Sequence, residues 1–303
     1  MIIMNSEPVL IYSPLHINHK VSLDCPDQPE RLDEALEELI DIVTVQDAPN
    51  GEEYLPLFHT PDYIHKVRTI CNELGRGEIN TIIDNCFSQS TYQAACYAVG
   101  ATIEAAKYAQ HARRAFAFVR PPGHHAWSDK EGGFCVFNNV AIATEFLRQQ
   151  GERKILIIDV DLHLGDGTIE YVTKTPNTSY FSINCAGLWP HGDQDQFERC
   201  ENIFLPSGTS DARYIQVLER RLTKTIEREN PSIIAVSAGF DTCVHDSNTF
   251  EETFGGSFNL TSDSYQALWK ILDRSLIPYF AVLEGGYDPL SIMDGVESFF
   301  NRE

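Results

Sequence analysis

The sequence predicts an α/β fold in which a central, mainly parallel sheet carries helices on both faces, and three observations lead there. Short apolar runs such as Ile155–Ile158, Ile233–Ser237 and Tyr279–Leu283 lack the polar alternation of a half-exposed sheet and read as strands buried on both faces. Segments of helical spacing separate these runs, as parallel crossovers require. Each run then empties into a loop of Gly, His, Asp or aromatic residues, at the strand ends where open α/β sheets keep their ligands.

Taken in order, Val9–Ser13 is a first core strand ending at Pro14, and its exit loop holds His16, His19 and the stretch DCPDQPERL. Pro29 stands where a helix begins, with Leu32, Leu36, Leu39, Ile40 and Val43 recurring along it. Thr60 caps a second helix that opens at Pro61. The Ala-rich segment Thr91–Gln110 is a helix packed closely on its neighbours, and Ala115–Val119 is a strand running into RPPGHHAWSDKEGGFCVFNN. That loop is irregular and stiffened by prolines, after which Asn138 or Asn139 caps the helix VAIATEFLRQQ. The strand within KILIIDVDLHLGD (Lys154–Asp166) comes next, then DGTIEYVTK as a short helix. Ser179–Asn184 is a strand feeding the loop CAGLWPHGD, and Asp211–Asn230 is a long amphipathic helix stopped by Pro231. Ile233–Ser237 empties into AGFDTCVHD, and Leu268, Ile271 and Leu272 mark a further helix. Tyr279–Leu283 is the last strand, running into EGGYD, and Pro289–Phe299 forms the terminal helix.

Residues 1–303 suit one large domain, with no repeat, charge block or low-complexity tract to divide them. A formal charge of −21 excludes a general nucleic-acid binder, which needs a basic footprint. The eight cysteines are scattered without a C-x-x-C pair, which predicts a reduced chain and neither a zinc knuckle nor a dithiol motif. The N-terminal MIIMNSEPVLIYSP has no basic region or long apolar run, so a soluble cytoplasmic protein is expected, not a membrane-bound one.

The chemistry centres on Lys154–Asp166. Asp159, Asp161 and His163 lie two apart at the strand's end, so alternation places them on one face. Burying two carboxylates and an imidazole together is unfavourable unless something compensates, and a divalent cation is the usual compensation. Five strand ends carry such chemistry: GHH at 123–125, DVDLH at 159–163, SIN followed by AGLWP, GFD at 239–241 and GGY at 285–287. Asp161 and His163 need a third ligand, and Asp241 is the candidate; two Asp and one His leave coordination open, the catalytic pattern. His124 and His125 are then proton carriers, with Asp159 and Asp166 available to orient them. Tyr287, held at a Gly-Gly turn, can donate to an oxygen that gains charge. His16, His19, His191 and His245 fall in rim loops where substrate contact is open to them.

These motifs, RPPGHHA (120–126), GGFCVFNN (132–139), DVDLHLGDG (159–167), SAGFD (237–241) and LEGGY (283–287), occur in an order that resembles the histone deacetylase superfamily with its arginase/deacetylase fold. The likeness is to the class II and bacterial deacetylase-like branch that includes acetylpolyamine amidohydrolases. It implies a Zn²⁺, with Fe²⁺ as an alternative occupant, on Asp161, His163 and Asp241. It implies that His125 is the general base and acid paired with Asp166, that His124 is an electrostatic partner paired with Asp159, and that Tyr287 polarises the amide carbonyl. Phe134 and Trp189 match the aromatic walls of an acyl-lysine channel, and Gly133 lies where backbone approaches substrate. Structural K⁺ is implied at Asp159, Asp161, His163, Ser182 and Ile183, and a second at Val172, Thr175 and Thr178.

The resemblance therefore implies deacetylation of an acetylated lysine in a protein or peptide, or of another acetylated amine such as a polyamine. Three positions depart from the family pattern: Leu164 and Asn184 replace histidines, and Cys25 replaces the His of an early His-Pro-Glu motif. None is a metal ligand or proton carrier. Relatives selective for acetylpolyamines place an acidic residue near the mouth where this chain has Asn248, which weighs against that substrate. A binuclear Mn²⁺ ureohydrolase of the same fold needs a second carboxylate cluster, whereas Gly239–Cys243 offers one Asp. A catalytically silent binding protein on this fold is the remaining rival, although every catalytic position is filled.

Overall fold

A computed structural model describes residues 7–82, 84–111, 114–191, 197–247 and 255–300. Asn248 lies outside the described residues. The central sheet has eight strands: β1 Val9–Tyr12, β2 Thr44–Asp47, β5 Ala115–Phe118, β6 Ile155–Asp159, β7 Thr178–Cys185, β8 Cys200–Leu205, β9 Ile233–Ala238 and β10 Tyr279–Leu283. Their spatial order is β2-β1-β5-β10-β9-β6-β7-β8, and every pairing is parallel. A small antiparallel hairpin, β3 Asn80–Ile82 with β4 Asn85–Phe87, lies apart.

Helices cover both faces, as the run-type strands require. One apolar core gathers Leu32 and Leu39 of α1 (Glu30–Leu39), Tyr214 of α6 (Asp211–Val217), Leu268 of α8 (Ser262–Ser275) and Val296 of α9 (Pro289–Phe300). The other gathers Tyr63 of α2 (Pro61–Glu73), the alanines of α3 (Thr91–Gln110), Val140 of α4 (Asn139–Gln149) and Ile169 of α5 (Asp166–Lys174). β6 shows the division residue by residue: Leu156 and Ile158 enter the first core, Ile155 and Ile157 the second. Alternate residues of a strand point to opposite faces, so a strand apolar at every position must be covered twice.

Most predicted elements stand within a residue or two. Asn138 is the cap of α4, its side chain accepting from the Ala141 N–H at 3.0 Å, which leaves Asn139 as the first helical residue. The long helix over 211–230 is interrupted by a π-helical turn at Leu218–Leu222, continues as α7 (Thr223–Glu229), and stops on Asn230 in the left-handed region ahead of Pro231. The hairpin β3–β4 was not predicted, and the two strands of the central sheet that the sequence does not mark, β2 and β8, are its edges. Each is covered on fewer sides, so TVQD and CENIFL lack the continuous apolar run that marks a central strand. No helix among the described residues is long and apolar enough to cross a membrane.

Candidate active site

Because all eight strands are parallel, their C-terminal ends face one rim, and the five consecutive neighbours β5, β10, β9, β6 and β7 empty into the loops that carry the predicted residues. Those loops enclose a pocket of about 240 Å³ lined by His124, His125, Gly133, Phe134, Asp161, His163, Trp189 and Tyr287 among others.

At its base, Asp161, His163 and Asp241 bring their ligand atoms within 4.8 Å of one another. Backbone amides fix both carboxylates: Asp161 accepts from the N–H groups of His163 and Gly285, each at 2.9 Å, and Asp241 Oδ1 from Leu162 at 3.0 Å. Asp241 Oδ2 is buried and has no hydrogen-bond partner, and His163 Nδ1 lies 3.4 Å from it. Burial and the Asp161 charge push Asp241 up to about 6, while His163, despite its burial, is drawn up to about 9 by its two carboxylate neighbours. An unsatisfied buried carboxylate oxygen facing an imidazole and a second carboxylate is the donor set that Zn²⁺ relieves, so the residues fit the metal. Close backbone makes this possible: a Cβ on Gly285 would stand 2.7 Å from oxygens of both Asp161 and Asp241.

Above the base, two histidines each hold a carboxylate on Nδ1. His124 Nδ1 is 3.0 Å from Asp159 Oδ2, which also accepts from the Tyr180 hydroxyl at 2.8 Å. His125 Nδ1 is 2.8 Å from Asp166 Oδ1, and Asp166 Oδ2 accepts from Trp127 Nε1 at 2.7 Å. The two rings lie 4.0 Å apart, and Trp189 packs 4.7 Å from His125. Gly133 has φ of +50°, and a Cβ there would stand 2.3 Å from the His125 ring, so the close approach requires glycine. Phe134 meets Tyr287 edge-on at 5.9 Å between centroids. Burial and the Asp241 and Asp161 charges hold the Tyr287 phenol well above its usual range, so it is a neutral donor.

Several contributors were not singled out in the sequence. Arg31 donates to the Gly286 carbonyl and lays its guanidinium 5.0 Å from the Tyr287 ring centroid, while Asp246 accepts the Tyr287 and Asp288 N–H groups. Glu284, pushed up to about 7 by burial, accepts from the Gly123 and His124 N–H groups and from Ser237 Oγ. Asp84, on the β3–β4 turn, lines the pocket and accepts from the Gly133 N–H at 3.2 Å. Asp246 and Glu284 sit inside the quoted loops GFDTCVHD and LEGGY, and that adjacency was the available signal. Nothing local marks Asp84 or Arg31, whose roles arise from tertiary contacts.

Of the oxygens expected to hold K⁺, Asp161 O and His163 O each accept an N–H from Asn184 Nδ2, at 3.0 and 2.9 Å. At the second expected set, Val172, Thr175 and Thr178, Val172 O accepts from both Arg199 Nη2 at 2.7 Å and Thr175 N at 3.1 Å.

Known proteins resemble this chain along most of its length. The family model of the histone deacetylase domain matches residues 25–302. The chain is 32% identical over 265 residues to Histone deacetylase 5 of Arabidopsis thaliana, covering 80% of this chain and 39% of that one. It is 30% identical over 305 residues to a probable deacetylase of Archaeoglobus fulgidus, covering 92% and 80%, and 31% identical to the human Polyamine deacetylase HDAC10, covering 89% and 43%. The chain thus spans about two fifths of the length of the eukaryotic relatives named here. Among solved structures, the HDA15 HD domain superposes with a TM-score of 0.86 at 24% identity, covering 97% of this chain and 87% of that one. An acetylpolyamine aminohydrolase from Burkholderia pseudomallei gives 0.84 at 22%, with 97% of each chain covered. Both share the eight-stranded α/β architecture. With the domain model matching almost its whole length, this chain belongs to the histone deacetylase superfamily.

Proposed function

We propose that this chain is a Zn²⁺-dependent deacetylase that hydrolyses the acyl amide of a lysine side chain or another primary amine. The observation that carries it is the orphaned Asp241 Oδ2 at the base of a pocket lined by two oriented imidazoles and a neutral phenol. Zn²⁺ held by Asp161, His163 and Asp241 supplies Lewis-acid activation of water and carbonyl when bound.

The remaining work belongs to the chain. His125 Nε2 takes the proton of the attacking water, with Asp166 on Nδ1 fixing the tautomer, and returns it to the departing amine nitrogen. His124, held by Asp159, stays cationic and favours negative charge at the reacting centre. Tyr287 keeps its proton and donates a hydrogen bond from its hydroxyl to the carbonyl oxygen as charge develops there, positioned by Arg31 and Asp246. Phe134 and Trp189 both line the pocket and offer apolar walls to an alkyl chain. A primary amine on a long alkyl stem suits that channel, and Asp84 at the rim suits a substrate that presents N–H donors or positive charge. The eight free thiols accord with a reducing, cytoplasmic setting.

The test is turnover of a fluorogenic acetyl-lysine amide and of acetylpolyamines by zinc-loaded protein, with and without a hydroxamate chelator. Hydroxamate-sensitive turnover is expected, and Tyr287→Phe should keep its zinc while losing on the order of 10²–10³ in kcat. Near-normal activity in that variant would remove Tyr287 from the mechanism. No turnover of any substrate by zinc-loaded protein would favour a silent binding protein.

A further inference from the structure

A second group of soft and borderline ligands lies outside the pocket chemistry described so far. Cys243 and His245 sit on the loop after β9, Asp294 sits in the second turn of α9, and their ligand atoms lie within 4.8 Å of one another. We propose that Cys243, His245 and Asp294 form a second divalent-metal site, selective for Zn²⁺ and open at its fourth position, that ties the Asp241 loop to the terminal helix.

Three observations support it. His245 Nε2 and Asp294 Oδ2 are 3.5 Å apart, longer than a good hydrogen bond but close to the ~3.4 Å edge that Zn–N and Zn–O bonds span in a tetrahedron. Ser291 lies beside the Cys243 sulfur. Ser291 Oγ is fully buried and completes no hydrogen bond of its own, so a metal-bound thiolate would give it an acceptor. The exposures suit an exchangeable ion, since Cys243 is wholly buried while the His245 side chain is 39% exposed and admits water to the open position. A thiolate, an imidazole and one carboxylate favour zinc over the hard cations Mg²⁺ and Ca²⁺.

The site shares a loop with the first. The loop Phe240–Asp246 carries Asp241, and its Asp246 holds the Tyr287 and Asp288 amides. An ion joining Cys243 and His245 to Asp294 would therefore restrain the segment that positions both a zinc ligand and the phenol.

Cobalt separates the two sites, because the first holds only oxygen and nitrogen ligands. Metal-free full-length protein titrated with Co²⁺ should bind two equivalents, one of them accompanied by a near-ultraviolet thiolate-to-cobalt charge-transfer band. His245→Ala, at an exposed position, should abolish that band and lower the stoichiometry from two to one, and Asp294→Asn should do the same. Retention of the other equivalent in both variants reports that the fold and the first site are intact. One equivalent without a band in the unmodified chain overturns the proposal. So does a band that survives His245→Ala, which would assign the sulfur to Cys135 beside His124 and Glu284.

Discussion

His124 and His125 are neighbours in sequence, each buried and each holding an aspartate on Nδ1, yet their surroundings drive them to opposite charge states. For His124, burial opposes the charged form, but Asp161 and Asp159 outweigh it and raise the imidazole well above its usual range. His125 is lowered, first by burial and then by the positive His124 ring 4.0 Å away, and the single Asp166 carboxylate does not make up the difference. Asp166 is also shared with Trp127, which spends part of its negative charge on an indole N–H. One carboxylate against a neighbouring cation leaves a base; two carboxylates without one leave a cation. The difference lies in what each ring faces beyond its own Asp.

The largest expected break in this comparison is removal of the rings themselves. His125→Ala should lower kcat/KM by about 10²–10⁴, and His124→Ala by distinctly less, with bound zinc unchanged in both. Equal losses at matched metal content would contradict the division of labour. Changing the carboxylates tests the same point by direction. Asp166→Asn and Asp159→Asn should each cost about 10- to 100-fold, but they should move the acidic limb of the pH–rate profile in opposite senses. Without Asp166 the His125 pKa falls further and the limb moves to lower pH. Without Asp159 the His124 charge weakens, His125 becomes more basic and the limb moves up. A shift of the same sign in both variants would show that the His124 charge does not reach His125.

The aspartates of both dyads were legible because each falls inside a run that also carries a strand end, but β6 stops at Asp159, so Asp161 and His163 are placed by the loop beyond it and not by strand alternation. The five loops could be assigned to one rim because a parallel sheet has only one C-terminal edge. What could not be read is what tertiary approach creates. Arg31 reaches Tyr287 across 256 positions of sequence, and Asp84 reaches Gly133 from an isolated hairpin. The charge difference between the histidines was also invisible, since it depends on Glu284 from the loop after β10 and on the contact of Trp127 with Asp166. The contact of Arg199, beyond the next strand, with the Val172 carbonyl could not be read either.

A finer change leaves both rings and both carboxylates in place. Trp127→Phe removes the donor to Asp166 Oδ2, which strengthens the hold of Asp166 on His125 and should raise the acidic limb. The cost to kcat/KM at neutral pH should be on the order of 10-fold or less, the scale of one hydrogen bond. An unchanged profile would mean that Trp127 only packs.

The smallest effect on catalysis concerns a third buried histidine that has no carboxylate, which sets the baseline for the other two. His59 Nε2 accepts the Asn138 N–H at 2.9 Å, and burial lowers its pKa from 6.5 to about 3. Because the folded value lies below the unfolded one, the stability His59 contributes is fully present above about pH 6.5 and is lost as the pH falls toward 3. Between pH 6.5 and 5 the loss amounts to about 2 kcal/mol. Denaturant unfolding at pH 7 and pH 5 should therefore show a smaller pH-dependent loss in His59→Gln than in the unmodified chain, whatever the variant's absolute stability. An equal loss in both would assign the acid sensitivity to other groups and remove the uncompensated histidine from the comparison.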